Sequence, residues 1–180
     1  MIDYQSAADQ IGVEVAAVQA IAEVESSGRG FRDGLPVIRL EAHWFGKLTG
    51  YQHNDSHPHI SCRAWTPSLA ARNQGEAWEQ FDEAAALDEG AAIQSTSWGA
   101  FQIMGFHWRA LGYDSPQAMR EAMATDDGQL DAFVRFVNAD AVLVDAARRR
   151  DWHAFAGRYN GPGQVDRYAG LMAAAYERNA

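Results

Sequence analysis

Residues 21–28, Ile-Ala-Glu-Val-Glu-Ser-Ser-Gly, set a carboxylic acid where it could hand over a proton. Val15, Val18, Ile21 and Ala22 recur at helical spacing, which predicts an amphipathic helix over 14–26 with that stripe against a core. Glu25 follows Ile21 by four positions and Val18 by seven, so it shares the apolar face, whereas Gln19 and Glu23 fall on another face and read as solvated. Ser26, Ser27 and Gly28 stop the helix, Gly28 as a left-handed cap. An inward carboxyl at a helix C-terminus meets desolvation and the negative end of the helix dipole, and both raise its pKa. That is what a general acid requires. Taken alone, a glutamate at a helix end is more commonly just exposed, so the rest of the chain has to decide.

Other reactive residues are less organised. His43, His53, His57 and His59 invite a metal, and His57-x-His59 has a ligand-like spacing, but polar loops commonly carry solvated histidines, and no metal is expected. Ser97 has no His and Asp at a spacing that suggests a nucleophilic triad. The single Cys62 excludes an internal disulfide and a cysteine zinc site.

The elements that must position Glu25 follow from the hydrophobic pattern. A short helix over 4–11, broken at Gly12, precedes the Glu25 helix. Leu35–Leu40 is the one convincing strand, with Pro36 near its start, and reads as an arm of a small hairpin or sheet. Glu41 comes next, then a short helix through His43, Trp44, Phe45 and Leu48. Residues 51–73 have no period; a stretch this long lies over a cleft or is mobile. Trp78, Phe81, Ala85 and Leu87 share a helical face that runs up to Gly90. A tight glycine, Gly99, interrupts 95–104, and Ser115-Pro116 is a cap followed by a first-turn proline. Leu130, Phe133, Val134, Val137, Val142 and Val144 mark one long helix over 128–149, or two jointed near Asn138. Asp151 caps a short helix ending at Tyr159-Asn-Gly-Pro, and a last helix over 163–177 is expected to bury Val165, Tyr168, Leu171, Met172 and Tyr176. The expected architecture is a single domain over 1–180, mostly α (α+β), with one small β element.

The chain's 180 residues suffice for one core of substance, and 47% hydrophobic with 22% charged residues is ordinary globular composition. A formal net charge of -9 argues against nucleic acid as a partner. Any attraction to an anionic polymer has to be local, with Arg148–Arg150 the visible basic run. The aromatics (6 Trp, 6 Tyr, 8 Phe) suit core packing first and a sugar-stacking groove second. No apolar run reaches membrane-spanning length and no signal peptide is visible, so the expectation is a cytoplasmic start with no membrane insertion.

Three fragments stand in a telling order: Glu25-Ser-Ser-Gly28, Gly99-Ala-Phe-Gln102-Ile-Met and Tyr159-Asn160-Gly161-Pro162. This order resembles the lysozyme-like superfamily, particularly goose-type lysozymes and soluble lytic transglycosylases. The strings Leu35-Pro-Val-Ile-Arg-Leu-Glu41-Ala-His43-Trp-Phe, Ser95-Thr-Ser-Trp-Gly-Ala-Phe-Gln-Ile-Met-Gly105 and Phe155-Ala-Gly-Arg-Tyr-Asn-Gly161 are more similar still to the N-acetylmuramidase domain of phage and prophage endolysins. The resemblance covers nearly the whole chain. It implies a lysozyme-like fold whose small sheet flanks a cleft, and a glycosidase cutting the β-1,4 bond from N-acetylmuramic acid to N-acetylglucosamine. It implies peptidoglycan glycan strands as substrate, no cofactor, and delivery to the wall by a holin or another route. In that family the domain is often joined to a peptidoglycan-binding module; 180 residues leave no room for one, so a single catalytic domain acting as a monomer is expected.

In that frame Glu25 is the general acid, a role worth roughly 10²–10⁴ in rate, by the logic already known for lysozyme. Glu41, leaving the strand after the inward Ile38 and Leu40, is the expected second carboxylate, facing Glu25 across the cleft; a salt bridge, with Arg39 for instance, is the competing account. Asp33 and Asp55 sit in loops and are weaker. Ser97, Gln102, Tyr159 and Asn160 are the expected substrate-binding residues: Gln102 suits an N-acetyl group or the alignment of Glu25, with turn-bracing as the alternative, and Tyr159 and Asn160 could hydrogen-bond Glu25 or the sugar, with helix termination as the alternative. Three rivals share the sequence: a lytic transglycosylase closing a 1,6-anhydro ring, a delivered antibacterial toxin of the same chemistry, and a non-catalytic glycan-binding or phage structural module.

Overall fold

The computed structural model describes residues 2–180. Ten helices and two small antiparallel sheets make an α+β architecture among these residues. At its centre is α2 (Val15–Ser26), whose Ala16, Ala17, Val18, Ala20, Ile21 and Ala22 are all buried. So many buried alanines let neighbouring helices approach closely, and α2 is clasped by α1 (Tyr4–Ile11) and α10 (Val165–Asn179). Glu23, expected to be solvated, instead ties α2 to α10: Arg178 pairs with it and Asn179 Nδ2 donates to its Oε2 at 3.0 Å. The helix ends as the Ser-Ser-Gly string requires, except that Ser27 (φ 58°) enters the left-handed region together with Gly28 (φ 70°). The Ser27 and Gly28 N–H groups close back on Glu23 O and Ala22 O.

After α2 the chain makes the tight hairpin β1 (Phe31–Arg32) and β2 (Leu35–Pro36), turning at Asp33 and Gly34. Both turn residues have positive φ, as a two-residue turn of matching twist demands. The strand expected over 35–40 therefore divides at Val37, and β3 (Ile38–Leu40) belongs to a second sheet with β4 (Thr96–Trp98) and β5 (Ile103–Met104). Register is fixed by Ile38 opposite Trp98 and Ser97 opposite Met104. β4 and β5 escaped the sequence because they are very short and Thr96–Trp98 is buried throughout, so nothing alternates. The open edge of β3 is covered by a side chain acting as a strand: Ile38 N donates to Gln74 Oε1 at 2.8 Å and Gln74 Nε2 donates to Ile38 O at 3.0 Å.

Of the remaining helices, α7 (Asp126–Asn138) packs on α1 and α9 (Trp152–Tyr159) on α10, while α4 (Gln74–Leu87) lies against the sheet at β3. α3 (Ala42–Leu48) follows Glu41, and α4 (Gln74–Leu87) and α5 (Glu89–Gln94) are separated at Asp88, whose side chain caps α5 by accepting from Ala91 N. Ser115 caps α6 (Pro116–Ala122) by accepting from Ala118 N, as its sequence implies. The long apolar stretch resolves into two helices, α7 (Asp126–Asn138) and α8 (Ala141–Arg149), jointed at Asp140; α9 (Trp152–Tyr159) is capped by Asp151. Val142 and Leu171, read from periodicity as core, are exposed. Residues 51–73 are turns with a 3₁₀ segment at Pro67–Leu69. The first part of that stretch is packed, with Ile60 and Ser61 buried; a Cβ on Gly46 would lie 2.4 Å from Cys62 O. No helix among the described residues is long and apolar enough to cross a membrane.

Candidate active site

Glu25, one residue from the end of α2, lines an open hollow of about 310 Å³ together with Val37 and Arg39 of the sheet region, Arg72, Asn73 and Gln74 from the start of α4, and Gln102. Burial lifts its pKa to about 7, against one opposing effect: Asn160 Nδ2 donates to Glu25 Oε1 at 2.8 Å and favours the anion. Desolvation wins, so the proton is retained to neutrality. Asn160 comes from the opposite end of the sequence, immediately after α9, and its Oδ1 is buried without a partner among the described residues.

Each wall has a local cause. Ser26 Oγ donates to Ala100 O at 2.8 Å and accepts from Arg29 N at 3.1 Å, which pins the end of α2 to the β4–β5 turn. That turn needs a left-handed Gly99 (φ 73°) and carries Gln102 at φ 49°. Gln102 Nε2 donates to Gly99 O at 2.9 Å, and Ser97 Oγ donates to Gln102 Oε1 at 2.8 Å. Gln102 thus borders the hollow while bracing its own turn, and the buried Ser97 stands behind it. Tyr159 Oη donates to Phe101 O at 2.7 Å, and its ring is enclosed by Phe136 and Phe155 at 5.3 and 5.2 Å between centroids. Burial, with the nearby Glu25 carboxyl adding to it, holds the phenol proton firmly on. Tyr159 therefore anchors the helix end that presents Asn160.

Glu41 is placed differently. It precedes α3, pairs with Arg39 Nε at 3.0 Å, lies 3.6 Å from His43 Nδ1, and lines a narrow slot with Trp65, Thr66 and Leu69. Arg39 borders both this slot and the Glu25 hollow. The structure thus brings Glu25, Gln102 and Asn160 together, supports them with Ser97 and Tyr159, and sets Glu41 beyond Arg39.

Sequence reasoning missed Gln129. It is buried, accepts from Ala100 N at 2.9 Å, and donates to Gly30 O at 3.1 Å and Met123 O at 2.9 Å, knitting α7 to both arms of the site. A Cβ on Gly99 would lie 2.5 Å from its Cδ. A signal was present: Gln129 precedes Ala132, Phe133 and Phe136 by three, four and seven positions, a polar residue on an apolar stripe. The basic run 148–150 is taken up by contacts within the chain. Arg148 donates to Ile11 O, Arg149 pairs with Asp145, and Arg150 pairs with Glu14. His57 and His59 both turn to Glu83, at 3.8 and 2.8 Å. No group of three or more His, Cys, Asp or Glu among the described residues could hold a metal.

Residues 14–180 match the sequence profile of the family described as Muramidase, N-acetylmuramidase. The chain belongs to the N-acetylmuramidase family. Among solved structures the muramidase is similar to the crystal structure of the Burkholderia AP3 phage endolysin, with 39% sequence identity and a TM-score of 0.84 over 98% of this chain and 68% of that one. No curated protein matches it. The fold is accordingly α+β and lysozyme-like, and the muramidase is a glycoside hydrolase that cleaves peptidoglycan.

Proposed function

We propose that Glu25 is the general acid with which this muramidase cuts the β-1,4 bond from N-acetylmuramic acid to N-acetylglucosamine, in the service of phage or prophage lysis. One observation carries the reading: a carboxyl kept protonated to about pH 7 lines a hollow open to a glycan. With a strand seated there, Glu25 gives its proton to the bridging oxygen as the C1–O bond breaks, and positive charge spreads over C1 and the ring oxygen. Water then attacks C1, and a second proton transfer restores the acid. Asn160 fits both states of the acid. Its Nδ2 donates to the ionised carboxylate, and the amide turned over would offer Oδ1 to the protonated one.

Glu41 is the second carboxylate of this proposal. Its ion pair with Arg39, which borders both hollows, supports a positioning role: Glu41 fixes that guanidinium at the edge of the Glu25 hollow from the neighbouring slot. Gln102 and Ser97 shape the sugar-facing wall, and Tyr159 acts through Asn160. The likeness to a phage endolysin supports release from the cytoplasm to the wall through a holin-type route. The enzyme is proposed to work as a monomer.

Mass spectrometry of purified peptidoglycan after digestion tests the reading. The expected products carry N-acetylmuramic acid at new reducing ends, and Glu25→Gln abolishes their release. A 1,6-anhydro end would replace hydrolysis by ring closure, and undiminished release by Glu25→Gln would remove the acid assignment. Full activity in Glu41→Gln would leave Glu25 working alone.

A further inference from the structure

The chain carries 15 Lys and Arg against 24 Asp and Glu, so a cation seldom lacks a neighbour. Eight of the arginines pair with carboxylates, Arg39, Arg72 and Arg178 among them. Lys47, Arg63 and Arg109 lie over the rings of Trp44, Tyr51 and Trp108. Arg148 donates to a backbone carbonyl and Arg167 to Gln164. Among the described residues, that leaves Arg29 and Arg32 as the cations whose guanidinium has no ion pair, hydrogen bond or ring contact, and both are exposed.

These two are not scattered. Both line a hollow of about 480 Å³ with Ser26, Ser27, Val37 and Gln74, and Arg32, Val37 and Gln74 also line the hollow of Glu25. Arg32 therefore stands where the acid's hollow opens into the next one. Two amides along this path are already occupied, Gln74 by both backbone groups of Ile38 and Gln102 by its own turn. The geometry points to Arg29 and Arg32 as a carboxylate-binding subsite beside the acid, which takes the anionic groups hung from the muramic acid lactyl ether. Its ligand is either the carboxylates of the stem peptide or, on strands without peptide, the lactyl carboxylate itself. A guanidinium suits that ligand because its N–H fork matches a carboxylate two bonds at a time. The subsite gives an acidic enzyme a local hold on an acidic polymer. Neither arginine contributes to the Glu25 shift, which has only burial and Asn160 behind it, so the hold does not drain the acid of its proton.

The inference rests on the proposed muramidase reading, and three substrates separate the two: intact peptidoglycan, peptidoglycan with carboxyls converted to amides, and amidase-stripped glycan strands. Wild type, Arg32→Gln, the double variant Arg29→Gln/Arg32→Gln and the control Arg167→Gln are compared on each for release of reducing ends. On intact walls the double variant is expected to raise KM about ten- to a hundredfold, the range for a lost charge-assisted contact. Its kcat and the pH at which rate declines should stay as in wild type, and Arg167→Gln should match wild type. The KM ratio should fall to about one on amidated walls. A loss on intact walls assigns the peptide carboxylates; a loss confined to stripped strands assigns the lactyl group. An equal loss on amidated and intact walls, or no loss on any substrate, overturns the subsite while leaving the muramidase intact. Wild type silent on all three removes both. Sedimentation of the same arginine variants with walls, made in a Glu25→Gln background, reads the affinity without turnover and should weaken in parallel.

Discussion

At the scale of single residues, the site is a contest between desolvation and one amide. Burial raises Glu25 and Asn160 lowers it, with burial ahead and the acid poised at about 7. The rate should therefore be sustained on the acidic side and decline above about pH 7, as the acid loses its proton. Removing the amide removes the effect that favours the anion. In Asn160→Ala the alkaline limb of the kcat/KM profile should move to higher pH while kcat falls, because the carboxyl also loses its orientation. A limb that moves downward would mean that Asn160 does not act on Glu25. Glu25→Gln should lose at least the roughly 10²–10⁴ that general-acid catalysis supplies, and Glu41→Gln distinctly less, both measured as initial rates on purified walls.

At the scale of elements, the cleft is held by side chains that replace backbone partners. Gln129 satisfies Ala100 N, Gly30 O and Met123 O in one buried place. Gln129→Leu keeps much of the volume and leaves those groups without their bonds, at about 1–3 kcal/mol each before relaxation. A melting temperature several degrees lower should result, with activity reduced at temperatures where the variant is still folded. Gly99→Ala should be at least as damaging to the turn, since it meets both a left-handed φ of 73° and a Cβ contact at 2.5 Å. Thermal melts of both variants, compared with their residual activity, separate loss of fold from loss of turn geometry.

At the scale of the whole molecule, the acid weakens the fold it serves. In the unfolded chain a glutamate loses its proton near the ordinary value of 4.5, whereas folded Glu25 keeps it to about 7. Between those values the native state binds more protons than the unfolded one, so this group's contribution is fully present below about pH 4.5 and is lost as pH rises toward 7. The shift corresponds to about 3 kcal/mol. Glu25→Gln should consequently melt higher than wild type at pH 8, with the difference vanishing near pH 4. Equal melting temperatures at pH 8 would show that the carboxyl is better hydrated than its surroundings imply. The same scale governs substrate attraction: with a net charge of -9 the whole-molecule field does not draw the enzyme to an acidic wall, which leaves any attraction to local arginines.

Local rules wrote much of this into the chain. Periodicity placed α2 and the inward Glu25, Ser115 and Asp151 announced the helices they cap, and the Tyr159–Pro162 string marked the end of α9, because each depends on neighbours a few residues away. Periodicity failed for Val142 and Leu171, since a helical face tells which residues share a side and not whether anything covers it. It also missed β4 and β5, which are strands only by virtue of pairing with segments distant in sequence. The bond from Asn160 to Glu25 spans 135 positions, and the tie from Gln129 to Gly30 spans 99; no local pattern encodes such meetings. The carboxyl's type and facing were thus fixed along the chain. The pairing of Glu41 with Arg39, two positions away, was one of two accounts the sequence offered, and Asn160 was among the partners it allowed for Glu25; packing chose between them. The extent to which Glu25 retains its proton and the two unpaired arginines beside it were decided only by packing, because desolvation and ion pairing depend on what folding brings near.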